Sequence, residues 1–120
     1  MKLQILVPRY KEPFDVILPL LQSIEIQQNV DFNDIGVIIS NDGVDDLLDT
    51  DYLDGYSFKI EYYWHEHKGV SGTRNDCLDH ATADYVMFCD ADDMFYNACG
   101  LYILLREIDN GGFDTLVSAF

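Results

Sequence analysis

The chain has few cations. Seven Lys and Arg stand against 22 Asp and Glu in 120 residues, a formal charge of −15. Nucleic acids and anionic membrane surfaces are polyanions that need a basic footprint, so neither is an expected partner. No apolar run is long enough to span a bilayer, and the first one is too short and interrupted for a signal peptide. The three cysteines, Cys77, Cys89 and Cys99, show no metal-ligand or redox spacing. An odd, scattered set reads as reduced thiols, which makes a cytoplasmic location the expectation. Low-complexity tracts are missing as well. With 48% apolar residues, the composition is that of one globular domain over residues 1–120.

What is present is a series of short apolar runs that end in polar or acidic residues. In the most abrupt of them, Tyr85-Val86-Met87-Phe88-Cys89 leads into Asp90-Ala91-Asp92-Asp93, three carboxylates within four positions. The run reads as a strand buried on both faces, and a divalent cation would relieve the repulsion among its acids. Leu3–Val7 reads as a first strand stopped by Pro8. Ile35–Ser40 is a second, running into Asn41-Asp42-Gly43. Phe58–Trp64 is a third, running into His65-Glu66-His67-Lys68-Gly69, and Asp114–Phe120 a further one. Helical periodicity places one helix over Leu18–Gln28, with Phe14–Ile17 as an extra turn before Pro19. A second helix runs from Gly72 to about Thr82 behind an N-cap at Ser71, with Cys77, Leu78 and Ala81 inward. A third covers Phe95–Ile108. Asp45–Gly55 is expected to be a loop with one helical turn.

Strand–helix alternation with short connections gives an α/β sandwich with a mostly parallel sheet. Right-handed crossovers bring the carboxyl ends of all strands to one edge, where ligands bind in such sheets. Pro8 to Tyr10, Asn41 to Gly43, His65 to Gly69 and Asp90 to Asp93 would therefore share one crevice. Among the other polar residues, a metal pair of His65 and His67 is outweighed by solvated or packed histidines, for want of a third ligand. His80 reads as a partner of its helix's C-terminal dipole. Tyr62, Tyr63 and Trp64 read as strand packing, and Asp93 as either a group behind the metal ligands or a helix N-cap.

Val7-Pro8-x-Tyr10, Ser40-Asn41-Asp42-Gly43-Val44-Asp45-Asp46, Gly69-Val70-Ser71-Gly72-Thr73-Arg74-Asn75 and Phe88-Cys89-Asp90-Ala91-Asp92-Asp93 occur in that order. Together they resemble the N-terminal, nucleotide-sugar-binding part of the inverting family 2 glycosyltransferases, over about residues 3 to 120. The resemblance implies the GT-A fold, a Rossmann-like α/β/α sandwich, and a UDP-sugar donor lying across the strand ends. It places Pro8, Tyr10, Asp42, Gly43, Arg74, Asp90 and Ala91 in the nucleotide-sugar site. Tyr10 would line the base and Asp42 accept from the uracil imide, a hydrogen-bond donor between two carbonyls. Asn41 stands where the family has aspartate, and Val44 where it has serine. Arg74 would anchor the nucleotide and order the acids. Asp92, with Asp90, would ligate Mn2+ or Mg2+ on the diphosphate, hard cations for hard oxygen donors.

The general base of the family lies in its second half, so it is expected beyond Phe120 together with the acceptor pocket. Glu107, Asp109 and Asp114 fall on the wrong elements for it. The implied reaction is inverting transfer of a sugar to an acceptor hydroxyl. A module that binds UDP or a UDP-sugar without catalysis is the alternative. A dehalogenase-like phosphatase fits worse, because Met94 stands where its loop needs threonine. A sheet cut short would also leave an exposed edge, so self-association into a homo-oligomer is expected.

Overall fold

The computed structural model of the protein describes residues 1–45 and 50–111. In order they form β1 (Leu3–Arg9), α1 (Phe14–Glu25), β2 (Ile35–Asp42), β3 (Lys59–His65), α2 (Gly69–His80), β4 (Tyr85–Phe88) and α3 (Gly100–Asn110). Short 3₁₀ helices occupy Phe32–Asp34 and Thr50–Gly55, the second being the turn expected before Gly55. The strand expected over Asp114–Phe120 lies outside the described residues.

All ladders are parallel, in the order β3-β2-β1-β4. The chain steps outward from β1 to β3 and then returns to the opposite side of β1. That reversal puts a topological switch point between β1 and β4, where an open α/β sheet forms its ligand crevice. Strand periodicity sorts the side chains. Leu3, Ile5, Val7, Ile35, Val37 and Ile39 meet Ile17, Leu20, Leu21 and Ile24 of α1 and Leu101, Leu104 and Leu105 of α3. Leu6 and Ile38 face the other way, onto Cys77 of α2. The result is the expected α/β/α sandwich.

Several local expectations change. β1 does not stop at Pro8; it pairs through Arg9 with Asn41. Leu6 accepts from the Cys89 amide on the β4 side, and by the two-residue period Pro8 faces the same side, past the last residue of β4. Its missing N–H therefore costs no ladder bond. α1 starts at Phe14 and carries Pro19 inside it. Pro19 is exposed, as is Asp15, so water can take the carbonyl that proline leaves unpaired. β4 is not buried on both faces. Among the described residues it is the outer strand next to β1, and its Val86 and Phe88 are exposed. Leu78 is exposed too, and α2 turns Thr73 and Cys77 inward instead. Trp64 points to solvent, whereas Tyr62 and Tyr63 pack.

α3 begins at Gly100 rather than Phe95, because the segment before it is tied to α1. The Phe95 amide donates to Ser23 Oγ at 3.0 Å, and Phe95 itself is buried in the core. Gln27 donates to the carbonyls of Ser23 (3.0 Å) and Asn97 (2.8 Å) and accepts from the Leu101 amide at 3.0 Å. One buried amide thus joins the end of α1 to the residues on either side of the start of α3. On the opposite face Gln4 accepts from the Thr82 and Ala83 amides and fixes the entry to β4. Replacing Gln27 by Leu strands the Leu101 amide without a partner, and should lower stability by about 1–3 kcal/mol. An unchanged urea-unfolding midpoint would refute that role.

Candidate nucleotide and metal site

At the switch point a cavity of about 390 Å³ opens over the carboxyl ends of the strands. Its lining includes Pro8 and Arg9 at the end of β1 with Tyr10 just past it, Asp42 at the end of β2, His67 in the loop after β3, Thr73 on α2, and Asp90 and Asp92 after β4. The four strand ends meet there, as the sequence leads one to expect, and α2 adds a fifth segment.

The β1 end is built by charge. Arg9 is only 2% exposed. Its Nε donates to Glu12 O at 2.9 Å and its guanidinium lies 3.4 Å from Tyr62 Oη. Glu12 in turn accepts from the Tyr10 amide at 2.8 Å. This closed loop presents the Tyr10 ring, which is 37% exposed, at the cavity. Sequence reasoning missed Arg9 and Glu12. The two-residue alternation through Leu3, Ile5 and Val7 does place position 9 on the core-facing side, which is the one signal for a buried arginine.

Asp42 is the most heavily used side chain of the site. Its carboxylate, 3% exposed, accepts from the Lys68 amide at 2.8 Å and the Gly69 amide at 3.1 Å. Those are the first donors of α2, so the helix is capped from another strand and starts at Gly69 rather than behind Ser71. His67 Nδ1 lies 2.8 Å from Oδ2, and His65 Nδ1 lies 3.5 Å from Oδ1. His67 is the direct partner of that carboxylate, whereas His65 Nδ1 lies closer to the Glu66 carbonyl, at 2.7 Å. Burial pushes the Asp42 carboxyl up. The Lys68 amide, the Thr73 hydroxyl, the His67 ring and the Gly69 amide outweigh that and hold it below its ordinary 3.8.

Asn41 closes the adjoining turn, accepting from the Val44 amide and donating to Val44 O, both at 3.0 Å, and donating to Tyr62 Oη at 2.7 Å. Gly43 has φ +88°, and a Cβ there would meet His67 N at 2.6 Å. The 65–69 loop crosses directly over it, a path open only to glycine.

On the β4 side, oxygens of Asp90, Asp92 and Asp93 lie within 4.8 Å of one another, all exposed. Asp93 does not cap α3. It accepts from the Asp90 amide at 3.0 Å and returns its own amide to Asp90 O at 3.0 Å, closing a tight turn. Arg74 approaches Asp90 Oδ1 at 4.0 Å and lies 5.8 Å over the Phe88 ring. It reaches the acids but not the cavity lining, and Gly43 and Ala91 are also outside it. Ala91 belongs to the core. Exposed carboxylates grouped this closely, with one distant guanidinium between them, are a suitable donor set for a hard divalent cation such as Mn2+ or Mg2+. Beside them, burial, Asp93 and Asp90 push the Cys89 thiol up to about 12. Cys77 is pushed up to about 11, and all three cysteines are free. His80 at the end of α2 stacks on Tyr63 and lies 3.8 Å from Asp76. Among the described residues no helix is long and apolar enough to cross a membrane.

An open parallel sheet with its crevice at the switch point is the architecture of nucleotide-binding α/β domains. The comparisons with known proteins give the family: the chain belongs to glycosyl transferase family 2, whose model matches residues 4–120. It is 30% identical over 114 residues to GalNAc(5)-diNAcBac-PP-undecaprenol beta-1,3-glucosyltransferase of Campylobacter jejuni, covering 92% of this chain and 35% of that protein. It is 34% identical over 86 residues to the minor teichoic acid biosynthesis protein GgaB of Bacillus subtilis, covering 68% and 10%. The crystal structure of S. aureus TarS 1-349 in complex with UDP-GlcNAc superposes with a TM-score of 0.79 at 25% identity, covering 92% of this chain and 32% of that one. The chain thus spans about a third or less of these proteins. Its fold is GT-A, as the motifs implied.

Asp42 gives this site a pH signature. Its folded-state pKa is depressed, so its stabilising contribution is complete above 3.8 and is lost as pH falls below that value. Asp42→Asn should cost about 1–3 kcal/mol at neutral pH, with the deficit against wild type narrowing as pH drops through the acid range. Paired urea titrations at pH 7 and pH 3 check this, and a gap that stays constant argues against it.

Proposed function

We propose that the chain is the donor-binding part of a metal-dependent, inverting glycosyltransferase that takes a UDP-sugar. The observation that carries this reading is the single cavity shared by Tyr10, Asp42, Asp90 and Asp92. The base lies on the Tyr10 side, where a phenol ring offers a stacking surface and Asp42 an acceptor for the imide. Pro8 lines the same end of the cavity. The diphosphate lies toward the acids, in a protein whose charge of −15 otherwise repels it. Asp92 and Asp90 hold Mn2+ or Mg2+ there, and Arg74 steadies Asp90. Held by Asp92 and Asp90, such a cation would supply positive charge against the departing diphosphate. This chain's own residues bind and orient the donor.

The base that deprotonates the acceptor hydroxyl is supplied outside these 120 residues, along with the acceptor pocket. Asp109 fits this, since it lies 2.7 Å from Lys2, just before β1 and away from the strand ends that form the crevice. One relative is by its name a glucosyltransferase of a PP-undecaprenol-linked glycan and another a teichoic acid biosynthesis protein; a hydroxyl of a glycan, lipid or protein is the acceptor class proposed here.

Calorimetric titration of UDP with Mn2+, with chelator, and against Asp92→Ala tests this. Chelation or the substitution should weaken binding by roughly tenfold or more. Binding that is indifferent to both would remove the metal from the reading. Sugar transfer by the isolated chain would remove the external base.

A further inference from the structure

The slot that the proposed function gives to the nucleobase is already filled by a side chain. The His67 ring stacks on Tyr10 with centroids 4.4 Å apart and planes 23° from parallel. Its Nδ1 lies 2.8 Å from Asp42 Oδ2. A flat ring over the Tyr10 phenol with a ring N–H directed at Asp42 is the pair of contacts that a uracil imide would make. We infer that His67 is a stand-in for the base, and that it must leave the Tyr10–Asp42 slot for a uridine nucleotide to enter. The inference rests on the donor reading above.

Burial and mobility indicate which group moves. Asp42 is 3% exposed, so no ligand atom reaches its carboxylate while every donor stays in place. Two of the donors, the Lys68 and Gly69 amides, are backbone at the start of α2 and cannot leave without unwinding its first turn. The Thr73 hydroxyl sits on the inward face of α2 and is held 2.9 Å from Gly69 O. The His67 side chain is 55% exposed and hangs from a loop. It can rotate into solvent, and Oδ2 then loses one donor and regains one from the base. The exchange also favours small rings: a pyrimidine is close in size to the imidazole it replaces, whereas a purine is not. His67 is by this argument a specificity-determining residue that lowers apparent affinity by occupying the competing state.

The test compares wild type with His67→Ala, titrating UDP with Mg2+ and, separately, pyrophosphate with Mg2+. Removing the ring removes one hydrogen bond and one stack from the competing state, so UDP should bind about fivefold to tenfold more tightly. Pyrophosphate, which touches only the acid side, should bind both proteins equally. UDP affinity that is unchanged or weaker in the variant overturns the inference and leaves the donor reading standing. So does an equal gain for both ligands, which would mean a general loosening of the loop. Binding of UDP to neither protein defeats the donor reading and this inference together. A second measurement needs no variant. The His67 ring-proton resonances in wild type should lose the Tyr10 ring-current shift as UDP saturates, and resonances that stay fixed overturn the displacement.

Discussion

A carboxylate held away from water needs a donor for nearly every lone pair, and Asp42 meets that demand by collecting the chain around itself. It draws the first amides of α2 from 26 and 27 positions away and takes a histidine from the loop between. Three consequences follow from one buried charge. The loop after β3 is pinned over Gly43, α2 receives the cap that its own sequence lacks, and the end of β2 is fixed at the crevice. The pinned loop could not pass over a side chain at position 43. The requirement for glycine there is a consequence of the Asp42 contacts.

The crevice joins two halves of different physical character. The half around Tyr10 and Asp42 stands on the two central strands of the described sheet and is centred on a buried, hydrogen-bonded carboxylate. The half around Asp90, Asp92 and Asp93 stands beyond an outer strand, is open to water, and carries more negative charge than Arg74 offsets. One half suits a flat, neutral, hydrogen-bonding ligand, and the other suits a cation with an anion behind it. A nucleoside diphosphate with a divalent ion has both parts in that order.

Much of this was legible in the sequence because apolar runs that break off into polar residues mark strand ends, whatever the order of the strands. The convergence of Tyr10, Asp42, Asp90 and Asp92 needed nothing more than a parallel sheet. What stayed hidden depended on distant partners. Ser71 has the chemistry of a cap, yet α2 begins two residues earlier because Asp42 supplies the acceptor. The third helix is expected from Phe95, yet Ser23 accepts the Phe95 amide, Gln27 accepts the Leu101 amide, and α3 starts at Gly100. His65 and His67 look alike on paper, and only the fold shows that His67 is the direct partner of Asp42. β4 reads like a central strand because its composition records hydrophobicity, not which neighbour covers it.

The acid turn hangs from the sheet by a short strand and is braced behind by Ser23 of α1 and by Gln27 just past its end. The slot for the base has no share in that bracing. Mutational drift in one half therefore leaves the geometry of the other intact. Substitutions around Asp90, Asp92 and Asp93 can accumulate without disturbing the contacts of Tyr10 and Asp42.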